Sequence, residues 1–177
     1  MMDLTGKQIG LAAAGGIVVV ALVVLAGIHL FGEPSPEELA EIALSDEPVA
    51  VRERAALDLA DHGRKGISQM RRVAGQADEP RVRAAVMEGL GDWYDYESVN
   101  TLLEAMVSDP SPVVRVRAAK SLGRLAGMYP AEFGPNTPLP ERQRLAASLR
   151  ESLESMRNSK VLSDFEKKID KRHGEAE

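Results

Sequence analysis

The sequence predicts an all-α protein: an N-terminal transmembrane helix, then a short α-solenoid, then a C-terminal helical cap or tail. Three observations carry this. Residues 9–31 form one apolar run without a charged side chain. Three later segments repeat without gaps, their starts 31 and 32 residues apart. Aromatic residues make up only 4% of the 177 residues while Ala, Leu, Val, Arg and Glu dominate, which favours helices over a β-sandwich or barrel.

At 44% hydrophobic and 28% charged, with a formal net charge of -5, the chain has the aliphatic content for a packed core. Its length suits one domain plus an appendage. There is no cysteine, which excludes a disulfide scaffold, a thiolate metal site, a cysteine nucleophile and a lipidated cysteine.

Residues 1–8 are expected to form a short cytoplasmic N-terminus. Residues 9–31, IGLAAAGGIVVVALVVLAGIHLF, would form a helix roughly 35 Å long, enough to cross a hydrocarbon core of about 30 Å with some tilt. A lone span must be helical, because lipid offers its backbone no partners. The rival reading, a cleaved signal peptide, calls for an apolar region of about 7–15 residues ending at a small-x-small site. Val24-Leu25-Ala26 would serve as that site, but the run continues to Phe31, so an uncleaved anchor is preferred. Lys7 precedes the span, and the next cation is Arg52, after Glu33, Glu37, Glu38, Glu41, Asp46 and Glu47. That asymmetry puts the N-terminus inside the cytoplasmic (inner) membrane and the soluble domain on its periplasmic or extracellular side.

Gly6, Gly10, Ala12, Ala13 and Gly16 crowd the start of the chain and of the span. Gly6/Gly10 and Ala12/Gly16 have the small-xxx-small spacing by which membrane helices approach one another, so they are candidate helix-packing residues. His29, at the outer end, reads as an interfacial side chain reaching water or headgroups rather than a metal or pigment ligand.

Residues 32–128 hold the repeats. VRERAALDLA from Val51, VRAAVMEGLG from Val82 and VRVRAAKSLG from Val114 align, with Leu59, Leu90 and Leu122 at one place and Ala60, Gly91 and Gly123 at another. Each follows an acidic-proline turn: Asp46-Glu47-Pro48, Asp78-Glu79-Pro80 and Asp109-Pro110-Ser111-Pro112. Acidic residues cap the free amides of the coming helix, proline fits its first turn, and glycine suits its end. A second apolar helix then returns, over Ile67 to Ala74 and again through Val99, Leu102, Leu103, Met106 and Val107. Upstream, Ser35-x-x-Glu38 is a capping box opening a short helix from Pro36.

The phrase LGDWYDYESVNTLLEAMVSDPSPVVRVRAAKSLG resembles the HEAT-like repeat family, including the version seen in phycobilisome lyases. The resemblance covers about Asp46 to Gly127 and implies a solenoid that serves as a platform for protein partners. It also implies a ladder in which turn aspartates pair with helix-start arginines of neighbouring repeats. Those roles would fall on Asp46, Asp78 and Asp109 with Arg52, Arg83 and Arg115. The first repeat departs from the pattern, with Ala60 in the glycine position and His62-Gly63 after it.

Residues 129–140 carry four prolines and are expected to be a non-helical connector. Residues 141–177 should hold two charged helices. The first presents Leu145, Leu149, Leu153 and Met156 as an apolar stripe suited to capping the stack; the second runs from about Val161 to Arg172.

The chain shows no HExxH, no phosphate-cradling glycine loop and no GxSxG. Catalysis is therefore not expected, and neither is a cofactor, a metal or a small-molecule substrate. Nucleic acid is not expected either, since residues 33–140 hold 12 Lys/Arg against 18 Asp/Glu. The candidate partner-binding residues are Trp93, Tyr94 and Tyr96, joined by Tyr129 and Phe133 in the connector, because aromatic side chains dominate interface hot spots; the alternative is that one or two of the rings plug the gap between repeats, Trp93 first. The expected function is a non-catalytic membrane-anchored scaffold or accessory subunit of a membrane complex, respiratory or photosynthetic, with other proteins of that complex and the bilayer as partners. The alternative is a free-standing tether that recruits a soluble protein. On the first reading Gly16→Leu should weaken assembly more than Trp93→Ala.

Overall fold

The computed structural model describes residues 33–128 and 132–158. The chain divides into two compact units, Met1–Ser35 and Pro36–Glu177. The described part of the second unit is seven helices: α1 (Pro36–Leu44), α2 (Val49–Asp61), α3 (Ile67–Gln76), α4 (Pro80–Leu90), α5 (Tyr96–Ser108), α6 (Pro112–Leu125) and α7 (Leu139–Asn158). A 3-10 turn, Gly63–Gly66, joins α2 to α3. The expected membrane span, with Gly6, Gly10, Ala12, Ala13, Gly16 and His29, lies outside the described residues. So do Tyr129 and the expected helix from Val161. Among the described residues no helix is long and apolar enough to cross a membrane.

Helices α2, α4 and α6 pack side by side as one layer, and α1, α3, α5 and α7 form a second in which α3 and α5 touch only sparsely. The closest helix pairs include α1/α2, α3/α4 and α5/α6, each joined across an acidic-proline turn. Pro80 and Pro112 occupy first turns, where their missing N–H is no loss. The Glu79 carboxylate accepts from the Arg81 amide at 3.4 Å, and Asp95 caps α5 by accepting from the Ser98 amide at 3.0 Å.

The repeat register places the core. Leu59, Leu90 and Leu122 are completely buried, as are Val82 and Val114. Fully burying such side chains contributes roughly 1.5–3 kcal/mol each. Neighbouring helices of the first layer meet through small residues. A Cβ built on Gly91 would lie 2.4 Å from the Ser121 Cβ, and one on Gly89 would lie 2.8 Å from the Ala60 Cβ. The tenth residue of one repeat thus lies against the eighth of the next, and glycine stands on one side of each crossing. Ser121 Oγ donates to the Met87 carbonyl at 2.7 Å, so its burial leaves no unmet hydroxyl.

Two sequence expectations need correction here. Gly123 does not end its helix: it is buried inside α6, which continues to Leu125. The turn is made by Gly127 at φ +63, with Met128 N donating to Gly123 O at 2.9 Å and Gly127 N to Arg124 O at 3.3 Å. That is the 6→1, 5→2 pattern of a left-handed C-terminal cap. The connector is also shorter than expected, because α7 starts at Leu139 with Pro140 tolerated in its first turn.

Helix α7 covers α5 and, less extensively, α6. Ala146, Leu149 and Leu153 are buried, Leu145 and Met156 are half-buried, and Ser148, Glu151 and Ser155 face solvent. This helix closes its end of the stack with a polar outer face, as a solenoid terminus requires.

Candidate protein-interaction face

The aspartate–arginine ladder runs from each repeat to the next. Arg52 donates to Asp78 and, through Nε, to the Ala43 carbonyl at 3.1 Å. Arg83 meets Asp109 with two parallel bonds, Nε to Oδ2 at 2.9 Å and Nη2 to Oδ1 at 3.0 Å. This forked geometry matches guanidinium to carboxylate and is the stronger kind of charged pair. The two rungs differ in exposure: the Asp78 side chain is 81% exposed, the Asp109 side chain 9%. Arg52 nonetheless holds the Asp78 carboxyl below its ordinary pKa, chiefly through their hydrogen bond. Asp109 likewise raises the pKa of Arg83 through its hydrogen bonds.

The ladder has no third rung. Arg115 donates to three carbonyls, those of Asp109, Pro110 and Pro135, because the proline-rich connector occupies the place of another acidic turn. Asp46 stands exposed before the first rung, and the chain has no arginine upstream of it. The turn carboxylates serve arginines more than helix amides. They hold their turns as well: Asp109 accepts from the Ser111 amide at 2.8 Å, as Glu79 does from that of Arg81.

The aromatic residues separate into two groups. Trp93 and Phe133, expected as partner contacts, are 6% and 5% exposed, which corrects that expectation. Trp93 fills space against Gly63, where a Cβ would come within 3.0 Å of its ring, and Arg64 lies over the ring at 5.9 Å. Tyr94 is half-buried and donates its hydroxyl to the Leu153 carbonyl at 3.1 Å, tying α7 to the stack. Tyr96 is 51% exposed, with Arg157 over its ring at 5.4 Å. It is the aromatic residue of this loop that faces solvent.

Sequence reasoning missed a groove between α3 and α5. Helices α3 and α5 touch only sparsely, and an open groove of about 480 Å³ lies between them. Its apolar lining is small: Ala74, Gly75, Ala77 and Ala105, with Met87 from α4. Arg71 pairs with Asp95 at 2.9 Å and Glu97 at 2.5 Å, and Arg83 lies against the groove with its partner Asp109. Glu104 is exposed on the wall. Within the lining the charges balance, Arg71 and Arg83 against Asp109 and Glu104, while Asp95 and Glu97 hold Arg71 from outside it. The one signal in the sequence was the succession of small residues on facing helices, which looks the same in a packed interface.

No group of three or more His, Asp or Glu able to hold a metal occurs among the described residues. What the face offers is shape and charge: a channel with small apolar residues in its lining and the exposed carboxylate of Glu104 on its wall.

A family model described as HEAT repeats matches residues 36–123 and again 73–162. No curated protein and no solved structure matches the chain. The match spans well over half of the sequence and coincides with the helices and the ladder described above, so the chain belongs to the HEAT-repeat family.

Proposed function

We propose that this chain is a non-catalytic, membrane-anchored scaffold or accessory subunit that stabilises or links proteins of a larger membrane complex. HEAT repeats suggest a protein-interaction scaffold. The observation that carries the reading further is the groove between α3 and α5, open and with Ala74, Gly75, Ala77 and Ala105 too small to fill its apolar part. A bulky aliphatic or aromatic side chain of a partner would fill that part, and the exposed Glu104 on the wall offers a carboxylate to a neighbouring Lys or Arg. Anchoring is supported by the uncharged run of residues 9–31, and association within the bilayer by Gly6, Gly10, Ala12, Ala13 and Gly16. The proposal includes the cytoplasmic membrane with the soluble domain outside, and no cofactor, nucleic acid or small-molecule substrate.

The test compares Ala105→Trp, which fills the groove, with Gly16→Leu, which widens the span's small face. Co-purification of a fixed set of membrane proteins should fall with both. Loss with Ala105→Trp alone, affecting one soluble protein, would favour the free-standing tether. Unchanged co-purification with both variants contradicts the proposal.

A further inference from the structure

The outer face of the first layer changes sign along the stack. Equivalent repeat positions read Leu57, Glu88, Lys120 and Asp61, Asp92, Arg124 from α2 through α4 to α6. Helix α6 carries Arg115, Arg117, Lys120 and Arg124 and no acidic residue, in a chain of net charge -5. Arg115 is taken up by carbonyls at the turn, so the outward cations are Arg117, Lys120 and Arg124. Their spacing of three and four residues sets them on one stripe. Together with Glu88 and Ser121 they line an open hollow of about 300 Å³ between α4 and α6.

Among the described residues, the acidic groups paired with that stripe are fewer than its cations. Arg117 pairs with Glu88 at 2.5 Å and Arg124 with Asp92 at 3.2 Å, while Lys120 is exposed. Both arginine side chains are nearly half exposed, 43% and 48%. Ion pairs this open are weak, so incoming carboxylates can exchange with them at little cost. Arg124 Nη2 also donates to the Glu88 carbonyl at 2.9 Å, which holds its guanidinium beside the hollow.

We propose that this stripe is a second docking surface, for an acidic segment of a partner protein. It lies on the first layer, whereas the groove lies between helices of the second. The chain would therefore hold one partner on each layer, a direct way for so small a solenoid to link proteins. The assignment stands on the charge pattern of α4 and α6 and does not depend on what the groove takes.

The test uses the full chain in an uncharged detergent and a fluorescein-labelled decaglutamate peptide, read by fluorescence anisotropy. At about 10 mM salt, where the Debye length is about 30 Å, the peptide should bind, and binding should fade toward 150 mM. Lys120→Glu should weaken it about fivefold or more, whereas Arg150→Glu, the same charge change on exposed α7, should leave it unchanged. Far-UV circular dichroism and the melting temperature confirm that both variants fold. Equal weakening by both variants would reduce the effect to net charge and overturn the proposal. It is equally overturned if no peptide binds at low salt, or if only phosphatidylglycerol vesicles bind and Lys120→Glu abolishes that.

Discussion

Removing the Asp109 carboxylate should cost far more stability than removing Asp78, although both belong to one ladder. Arg83 and Asp109 are 11% and 9% exposed and share two bonds of 2.9 and 3.0 Å. Deleting one partner of a buried pair leaves the other charge without compensation, typically about 3–5 kcal/mol. Here Arg83 keeps carbonyl bonds to Ala77 and Asp78, at 2.9 and 2.8 Å, so the lower end applies to Asp109→Ala, about 3 kcal/mol. For a domain of this size that lowers the melting temperature by roughly 10 °C. Asp78 is exposed, and Asp78→Ala should cost only a small, though measurable, part of that. The assay is thermal and urea unfolding of the full chain in detergent, followed by circular dichroism. A cycle with Arg83→Met and Asp109→Leu should show the double variant losing less than the two single losses together. The reasoning is refuted if Asp109→Ala loses less than about 1 kcal/mol, or if Asp78→Ala loses as much.

Gly91→Ala should destabilise by about 1–3 kcal/mol, since its Cβ would meet Ser121, whereas Gly75→Ala in α3 meets nothing and should stabilise by up to about 1 kcal/mol; urea midpoints distinguish them. Trp93→Ala should lower stability by about 3–5 kcal/mol as a core truncation, while Tyr96→Ala should leave the melt unchanged, both read by circular dichroism. The Asp78 carboxyl titrates lower in the folded chain than its ordinary 3.8. Its contribution is therefore present in full above that value and lost as pH falls through the lowered one, and acid titration of wild type against Asp78→Asn should show a difference that vanishes at low pH.

Helix order and repeat register were legible because each repeat restates the same pattern of valine, arginine and leucine after an acidic-proline turn. Equivalence in sequence is not equivalence in environment, however. Val51 is 41% exposed where Val82 and Val114 are fully buried, because no helix precedes α2 in its layer among the described residues. The ladder arginines were legible from the same register, but the failure of Arg115 to find a third carboxylate was not. It depends on how the connector folds back to present the Pro135 carbonyl. Trp93 was legible as the first ring to plug a gap between repeats, but what it packs against was not. His62-Gly63 looked like a departure from the repeat, and Gly63, at φ +57, turns out to leave the space that the indole fills. The groove was illegible for a general reason: small residues on adjacent helices close an interface or open one depending on helix spacing, which no local pattern encodes.

The most direct test of the central claim is to extract the chain from its native membrane in mild detergent, measure the particle mass and identify what accompanies it. A scaffold of a membrane complex predicts a large particle of fixed composition that Ala105→Trp or Gly16→Leu disrupts. A particle with the mass of one or two chains, unchanged by either variant, would contradict it.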